Sequence, residues 1–370
     1  MRGIGIFHLV LVAVIIWKCH SVEISEEERQ KTNDSVNNGE GRESPEHKRE
    51  VPNNEQQHQH DSQETLPNIV LILADDLGYG DLSYSGHPTS RTPHIDRLAR
   101  KSRYFTHFYV SSPICSPSRA SLLTGRLQVR SGVYPGVFTP DNTQGLPHNE
   151  TTIATLLKHK RQYLPTHYGF DDYLGVPYSQ DMCPCLACFP DRGPCHDTCW
   201  SWDVSCPLFS NLSIVEQPVD LTSLTQRLVQ HAINFIDSPS PDPFFLYFPF
   251  HHVHHPQFAS SKFHGGSERG VFGDSLEELD WGVGQVAGAL ARGGHLHNTI
   301  IWFTSDNGPS MARHERGGSA GLLRCGKGTT WEGGVRVPSF VHWPDKVKRG
   351  QSHNHNFFII CQERLRGGRR

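Results

Sequence analysis

The sequence has little net charge and few long apolar runs. Its net charge is −3 over 370 residues, so it lacks the basic excess that marks a nucleic-acid binder. Only residues 4–17 form a long apolar run, and this run is short of the roughly 20 residues that span a bilayer. We therefore expect neither a nucleic-acid partner nor a stable membrane anchor. No internal repeat is visible, and the length allows one large core, or one large and one small.

The apolar run at the N-terminus has the pattern of a secretory signal, which we assign to residues 1–21. Arg2 precedes the run, and residues 19–21 (CHS) follow it where cleavage is expected. Secretion would let the 10 cysteines form disulfides. Sequons at Asn33, Asn149 and Asn211 are then candidate glycosylation sites.

Residues 22–66 have almost no large apolar side chains and are rich in Glu, Gln, Asn and His. Such a segment cannot offset its ordering entropy by burial, so we expect a disordered leader. Its histidines, among them His58 and His60, could suggest a metal-binding tract, but a solvated linker is favoured.

From Pro67 onward, the pattern alternates between strands and helices, which predicts an α/β fold with a mostly parallel central sheet flanked by helices. Continuous apolar runs at 68–74, 244–248 and 299–304 predict strands buried on both faces. Residues 103–110 alternate like a strand. Helices are expected after Thr92-Pro93, over 151–160 with Ile153, Leu156 and Leu157 inward, and over 275–290.

Polar groups follow three of these strands: Asp75-Asp76, the run of histidines 251–255, and Asp306-Asn307. Ligands of open α/β sheets bind beyond the carboxyl ends of the strands, so we expect these groups at one site. Their oxygen atoms suit calcium or magnesium. An Asp-Asp pair at a strand end can also be a turn or a helix cap.

The most specific motif lies at residues 115–126 (CSPSRASLLTGR). It resembles the C-x-P-x-R signature of the sulfatase family, followed by L-T-G-R. An isolated cysteine is ordinarily a small buried hydrophobe, but twelve matching residues argue against that reading. Residues 132–137 (GVYPGV) and 324–330 (RCGKGTT) also resemble the family, and the resemblance runs from residue 68 to about residue 343.

The resemblance implies a fold similar to alkaline phosphatase and a formylglycine made from Cys115 by a modifying enzyme of the endoplasmic reticulum. One hydroxyl of the hydrated aldehyde attacks sulfur, and the other expels sulfate as the aldehyde re-forms. The remaining roles also follow from the resemblance. Asp75, Asp76, Asp306, Asn307 and the modified Cys115 would bind one calcium ion, Arg119 would hold formylglycine and metal in place, His254 and Lys327 would contact the sulfate or leaving group, and Ser179 would line the pocket. Lys327 could otherwise be a solvated loop lysine.

The cysteines at 183, 185, 188, 195 and 199 form a dense stretch that could bind zinc, although disulfides are favoured in a secreted chain. The family resemblance implies the pairs Cys185–Cys199 and Cys188–Cys195, with Cys183–Cys206 as a possible third. In the family the cysteine at the position of Cys325 pairs with a C-terminal cysteine, and we expect no such partner here unless Cys361 replaces it.

Two departures from the family pattern stand out. After the helix that ends near Lys160, the family has a further strand and then G-K-W-H-L-G, whose lysine and histidine have no counterpart here. Beyond residue 344, the resemblance fades, and the smaller C-terminal domain of the family is not found. We therefore expect a catalytic domain over 67–344, with a strand or loop absent near 160–161, and a divergent tail over 345–370.

The leading hypothesis is a sulfuric ester hydrolase that acts on a sulfate ester in the secretory pathway, in the lysosome or outside the cell. A catalytically impaired secreted relative and a phosphoric or phosphonic ester hydrolase of the same superfamily are the alternatives. The formylglycine-generating enzyme is the expected partner, and a homo-oligomer is possible. Which sulfate ester is used, and whether this chain is active, stay open.

Overall fold

The structure is a computed structural model. It describes residues 66–143, 145–157, 165–182, 184, 187–190, 195, 205–344, 346–348, 350, 352–353 and 357–358. The expected signal 1–21, almost all of the leader 22–66 and the departure at 160–161 therefore lie outside the described residues. Apart from Leu66, the described residues belong to one compact unit, Pro67–Arg370. None of the described helices is both long and apolar enough to cross a bilayer.

The strands are β1 (Asn68–Ala74), β2 (Arg103–Phe105), β3 (Phe108–Tyr109), β4 (Leu174–Gly175), β5 (Leu208–Ser210), β6 (Ser213–Glu216), β7 (Phe245–Pro249), β8 (Thr299–Ser305), β9 (Phe340–His342), β10 (Ser352–His353) and β11 (Phe357–Phe358). The helices are α1 (Pro93–Arg100), α2 (Cys115–Thr124), α3 (Gln128–Ser131), α4 (Ile153–Leu157), α5 (Leu221–Asp237), α6 (Gly270–Arg292) and α7 (Glu332–Val335).

The main sheet has the strand order β10-β2-β9-β8-β1-β7. β1 pairs in parallel with both β7 and β8, and β10 pairs in parallel with β2, whereas β9 is antiparallel to its two neighbours. The fold is therefore α/β with a mostly parallel central sheet, as the sequence predicts. A small antiparallel sheet, β4-β5-β6, and the pair β3-β11 lie apart from it.

The core forms around β1, all seven of whose residues are buried. This explains why its sequence, NIVLILA, is apolar throughout instead of alternating. The long helices α5 and α6 contact each other and turn an apolar stripe inward, with Leu224 and Val229 of α5 and Leu276, Leu279 and Val283 of α6 buried.

Three expectations need correction. The alternating run 103–110 is not one strand, because a turn at Thr106 and His107 separates β2 from β3. In α4, Ala154 is buried while Leu157 is exposed, so the inward face differs from the expected one. The strand expected at 244–248 is β7, one residue later, and it is mostly half-buried because it is the last described strand of the sheet.

Candidate active site

The pairs Asp75-Asp76 and Asp306-Asn307 meet at the carboxyl ends of β1 and β8. These strands run in parallel with Ala74 opposite Ser305, so the residues that follow each strand emerge side by side. The backbone N–H of Asp76 donates to Asp306 Oδ1 at 3.2 Å, and Asn307 Nδ2 donates to Asp76 Oδ1 at 2.7 Å. We call Asp75, Asp76, Asp306 and Asn307, all of them buried, the acidic cluster.

Burial and mutual repulsion shape the charges of the acidic cluster. Burial and then the Asp75 carboxylate raise the pKa of Asp306 to about 6, and burial also raises the pKa of Asp75. Burial acts in the same direction on Asp76, but the Lys327 ammonium and His254 outweigh it and lower the pKa of that carboxyl. Packing three carboxyl groups together is costly unless cations accompany them.

Cys115 begins helix α2 beside the acidic cluster. Its Sγ lies 3.7 Å from Asp75 Oδ1 and 3.2 Å from Lys327 Nζ. Burial raises the pKa of the thiol well above its ordinary value, although Lys327 opposes this shift. The cysteine is therefore a neutral thiol and a poor nucleophile as it stands. Helix α2 ends at Thr124, and the following Gly125 has a φ of 65°, the left-handed conformation that glycine favours after a helix.

Arg119 lies one helical turn after Cys115 and bridges two carboxylates of the acidic cluster. Its Nη2 is 2.8 Å from Asp75 Oδ2, and its Nε is 2.9 Å from Asp306 Oδ2. Although burial alone would lower its pKa, Asp75 and Asp306 raise the pKa well above the ordinary value. A planar guanidinium can hold two carboxylates in fixed positions in this way.

Lys327 supplies the second cation. Its Nζ lies 2.6 Å from Asp76 Oδ1, and its side chain is only 18% exposed, so it is not a solvated loop lysine. Its backbone N–H donates to Pro309 O at 2.8 Å. A Cβ at the preceding Gly326 would lie 2.3 Å from that same carbonyl oxygen. Glycine is therefore required for the loop to approach this closely.

The run of histidines 251–255 after β7 also reaches the acidic cluster. His254 Nε2 lies 3.7 Å from Asp76 Oδ2, while His254 Nδ1 bonds the carbonyl of His255. Gln180 Nε2 donates to the carbonyl of His254 at 3.1 Å. Ser179, next to Gln180, has a buried hydroxyl without a hydrogen-bond partner, and no described contact joins it to the acidic cluster.

The sequence places His252 among the histidines 251–255 expected at the site but gives it no role, and the residue lies behind the site. Its carbonyl accepts from the N–H of Asp75 at 2.8 Å, and the N–H of Val253 donates to the carbonyl of Asp75 at 2.7 Å. The buried imidazole is within hydrogen-bond distance of Thr225 Oγ1, at 2.8 Å, and of Ser275 Oγ, at 3.0 Å. The only sequence signal was a run of four histidines interrupted by Val253.

Among the described cysteines, Cys188 and Cys195 form a disulfide, as the resemblance implies. These two sulfurs are therefore not zinc thiolates. Cys206 is also disulfide-bonded, with a partner outside the described residues. Cys183, Cys185, Cys199 and Cys361 lie outside the described residues too, so their pairing stays a prediction. Cys325 is a free, exposed thiol, so the family's pairing of this position with a C-terminal cysteine is wrong for this chain. Asn149 and Asn211 are exposed.

The acidic cluster has the donor set that calcium prefers, namely carboxylate and amide oxygens. Two of its oxygens, Asp76 Oδ2 and Asn307 Oδ1, are buried without a hydrogen-bond partner. Buried acceptors in proteins are nearly always satisfied, so these two atoms call for a donor or a cation. The residues present therefore fit a bound divalent ion of the calcium or magnesium class.

Comparisons with known proteins agree with this geometry. The sulfatase family model matches residues 67–359. Human arylsulfatase A is 48% identical over 308 residues, which cover 78% of this chain and 61% of that protein. Arylsulfatase G of Mus musculus is 40% identical over 323 residues, covering 76% of this chain and 61% of that protein. The chain thus spans about three fifths of the length of these relatives.

Solved structures give the same result. Ps i-CgsB in complex with k-i-k-neocarrahexaose superposes with a TM-score of 0.68 at 30% identity, covering 80% of this chain and 70% of that one. The PsFucS1 sulfatase from Pseudoalteromonas sp. superposes with a TM-score of 0.69 at 28% identity, covering 80% and 66% of the two chains. With the family model matching most of its length, the chain belongs to the sulfatase family.

Proposed function

We propose that the protein is a sulfuric ester hydrolase of the arylsulfatase type, in which Cys115 is converted to formylglycine. The observation that carries the proposal is the position of Cys115, whose Sγ lies between Lys327 Nζ and Asp75 Oδ1 at 3.2 and 3.7 Å. Formylglycine at this position would supply a hydrated aldehyde, with one hydroxyl to attack sulfur and one to release sulfate.

Lys327 would bind the sulfate group. Its ammonium is buried close to position 115, and a compact cation there can stabilise negative charge on a tetrahedral anion. Burial alone would lower its pKa, but Asp76 and position 115 raise the pKa well above the ordinary lysine value. The ammonium therefore stays charged at every pH at which the enzyme would work.

Arg119 would act by positioning. It joins Asp75 and Asp306 through separate nitrogens, so it fixes their distance and offsets part of their charge. Because Arg119 and Cys115 share helix α2, the same contacts fix the start of that helix. Asp75, Asp76, Asp306 and Asn307 would hold Ca²⁺, which when bound would supply positive charge for a sulfate oxygen.

His254 would exchange a proton with the leaving group. Its Nδ1 is engaged by the His255 carbonyl, which leaves Nε2 directed toward the acidic cluster. Burial, and then the Lys327 ammonium, lower the pKa of His254 below its ordinary value. Ser179, with its unpartnered buried hydroxyl, would line the pocket on the side of this histidine.

The test is hydrolysis of an aryl sulfate by the secreted protein, together with mass spectrometry of the peptide that contains residue 115. We expect an aldehyde in place of the thiol, and a loss on the order of a thousandfold or more for Cys115→Ser, since a serine ester has no second hydroxyl. Cys325→Ser is the matched control, because Cys325 is the other described free thiol, and it should leave hydrolysis unchanged. An unmodified thiol in cells with an active modifying enzyme contradicts the proposal.

A catalytically impaired relative is the second candidate. Within the described residues, β7 pairs with β1 on one side only, and the family's additional strand would follow residue 160. A variant with a family-like strand and G-K-W-H-L-G segment inserted between residues 160 and 161 tests this idea. We expect the insertion to raise hydrolysis by about a hundredfold or more, the cost of one anion-binding donor. Equal secretion and equal rates would show that the departure is harmless.

The cellular location and the partners follow from the same proposed function. We propose passage through the secretory pathway, with the lysosome or the extracellular space as destination, a sulfate ester as substrate, and the formylglycine-generating enzyme as partner. Exposure of Asn149 and Asn211 is compatible with glycosylation at both sequons.

A further inference from the structure

A second group of metal-binding side chains lies beside the acidic cluster. Asp181, His254 and His255 each offer one ligand atom, and these atoms all lie within 4.8 Å of one another. Asp181 comes from a 3-10 turn, Gln180–Met182, and the two histidines come from the loop after β7. All three residues are buried, and we call them the histidine cluster.

The histidine cluster has more acceptors than donors. His255 Nε2 lies 3.2 Å from Asp181 Oδ2, so these two atoms share a proton. The other atom of each group, His255 Nδ1 and Asp181 Oδ1, is buried without a hydrogen-bond partner. Leaving a buried acceptor unsatisfied destabilises the folded state. Asp181 Oδ1 belongs to the carboxylate that faces His255 Nε2, so this unpartnered oxygen indicates that a cation fits beside the pair; His255 Nδ1 lies on the far side of its ring and does not bear on this point.

The separation of the His255 and Asp181 ligand atoms and the tautomer of His254 suit a tetrahedral ion, although the rings of His254 and His255, stacked with centroids 4.2 Å apart, must turn for both lone pairs to reach it. Zinc–nitrogen and zinc–oxygen bonds of about 2.0–2.2 Å place two ligands of a tetrahedral site roughly 3.3 Å apart, close to the separation of His255 Nε2 and Asp181 Oδ2. His254 Nδ1 bonds a backbone carbonyl, the usual outer contact of a metal-bound histidine, so its Nε2 lone pair is available.

We propose that Asp181, His254 and His255 form a second cation site that takes a transition metal of the zinc class. Two imidazoles and one carboxylate are ligands of Zn²⁺, whereas Ca²⁺ takes six to eight oxygens. Binding releases the proton shared by His255 and Asp181, and the metal then bonds the freed nitrogen and the carboxylate. The three protein ligands leave a fourth position for water.

The second site shares a residue with the active site. His254 Nε2, the atom that the metal would use, is the one that faces Asp76 Oδ2 at 3.7 Å. A metal there withdraws His254 from the leaving group, so zinc acts as an inhibitor. This consequence rests on the proposed function, whereas the binding itself does not.

Zinc binding to the purified full-length chain, measured by calorimetry in excess Ca²⁺, tests the site. We expect one tight equivalent in the wild type, weakened at least tenfold in both Asp181→Asn and His255→Gln. His264→Gln is the matched control, since His264 forms a similar pair with the buried Asp274, at 3.5 Å. It should retain that equivalent. Zinc bound by the other histidines, of the 24 in the sequence, is the same in all variants and cancels when their titrations are compared.

Co²⁺ gives an independent readout, because a four-coordinate site produces strong visible absorption that the two cluster variants should lack. Thermal unfolding of each variant checks that it is folded. Equal zinc binding in all four proteins, absence of the tight equivalent in the wild type, or its displacement by Ca²⁺ would each overturn the proposal. Zinc binding without inhibition of aryl sulfate hydrolysis would instead remove the assigned role of His254.

Discussion

The acidic cluster and the histidine cluster meet at His254, yet they are built on opposite principles. The acidic cluster gathers three carboxyl groups and one amide and balances them with Arg119 and Lys327. The histidine cluster contains one carboxyl group and two imidazoles, one of which already shares a proton with that carboxyl. Folding therefore leaves one more carboxyl group than cations in the first and a surplus of lone pairs in the second. The oxygen ligands of the acidic cluster suit hard cations, and the nitrogen ligands of the histidine cluster suit softer metals.

The largest expected effect comes from removing the cation that touches both position 115 and the acidic cluster. Lys327→Ala should lower aryl sulfate hydrolysis by about a hundred- to a thousandfold, as expected for deleting one donor to a developing anion. Zinc binding at the histidine cluster should not weaken, because Lys327 bonds Asp76 and its ammonium opposes positive charge on His254.

Steady-state kinetics with an aryl sulfate, beside the zinc titration, measure both effects. Lys348→Ala, at an exposed lysine, is the control and should behave as the wild type. An equal loss of hydrolysis in Lys327→Ala and Lys348→Ala would contradict the role of Lys327. Loss of zinc binding in Lys327→Ala would mean that the two clusters do not act separately.

Calcium removal should have the next largest effect. A ligand at about a hundred times its Kd stabilises the folded state by about 2.7 kcal/mol, so chelation should lower the thermal midpoint by several degrees. Asp75→Asn should abolish most of the calcium dependence, whereas His255→Gln should leave it intact. Calorimetric scans with and without chelator would show this, and a calcium dependence that survives in Asp75→Asn would place the ion elsewhere.

The acidic cluster should also give the chelated protein a distinctive pH dependence. Burial and Asp75 raise the pKa of Asp306 to about 6, above its value in the unfolded chain. The folded state therefore binds more protons than the unfolded state between about pH 4 and pH 6, and stability falls as pH rises through this window. Each unit of pKa difference corresponds to about 1.4 kcal/mol.

Denaturant unfolding of the chelated protein at several pH values measures this slope. Asp306→Asn should flatten it, because the amide does not titrate, and saturating calcium should suppress it in the wild type. A slope that is the same in Asp306→Asn and the wild type would show that other groups cause it.

The acidic cluster could be predicted from sequence because each of its parts follows a strand whose apolar run is unambiguous. Asp75 and Asp306 are the first residues after β1 and β8, and parallel strands bring their ends together. Cys115 and Arg119 were identified through a twelve-residue motif, not through local physics. The contact of Arg119 with both carboxylates depends on where α2 lies, which periodicity alone does not fix.

The histidine cluster could not be predicted in the same way. Asp181 belongs to a short turn without a hydrophobic pattern, and its approach to His255 depends on contacts such as Gln180 with the His254 carbonyl. Strand boundaries shifted by one residue at β7, and a turn divided the run 103–110, because tertiary pairing decides where a strand stops. Long-range contacts between loops leave almost no trace in a single sequence.

The smallest effect should come from the contacts that connect the two clusters. The carbonyl of His252 and the N–H of Val253 hold the backbone of Asp75 through paired hydrogen bonds, and both residues belong to the same loop as His254 and His255. Ser275→Ala removes the partner of His252 Nδ1 and should cost about 1 kcal/mol of stability. Because one loop serves both clusters, calcium and zinc affinities should fall together by a few-fold.

Ser238→Ala provides the comparison, since it removes an exposed hydroxyl that donates to the carbonyl of Asn234 at 2.8 Å, far along the chain from either cluster. Calorimetric titration of both metals into both variants distinguishes the cases. A fall in calcium affinity alone would mean that His252 positions only Asp75. Equal behaviour of the two variants would mean that the remaining contacts of His252 are sufficient to fix the loop.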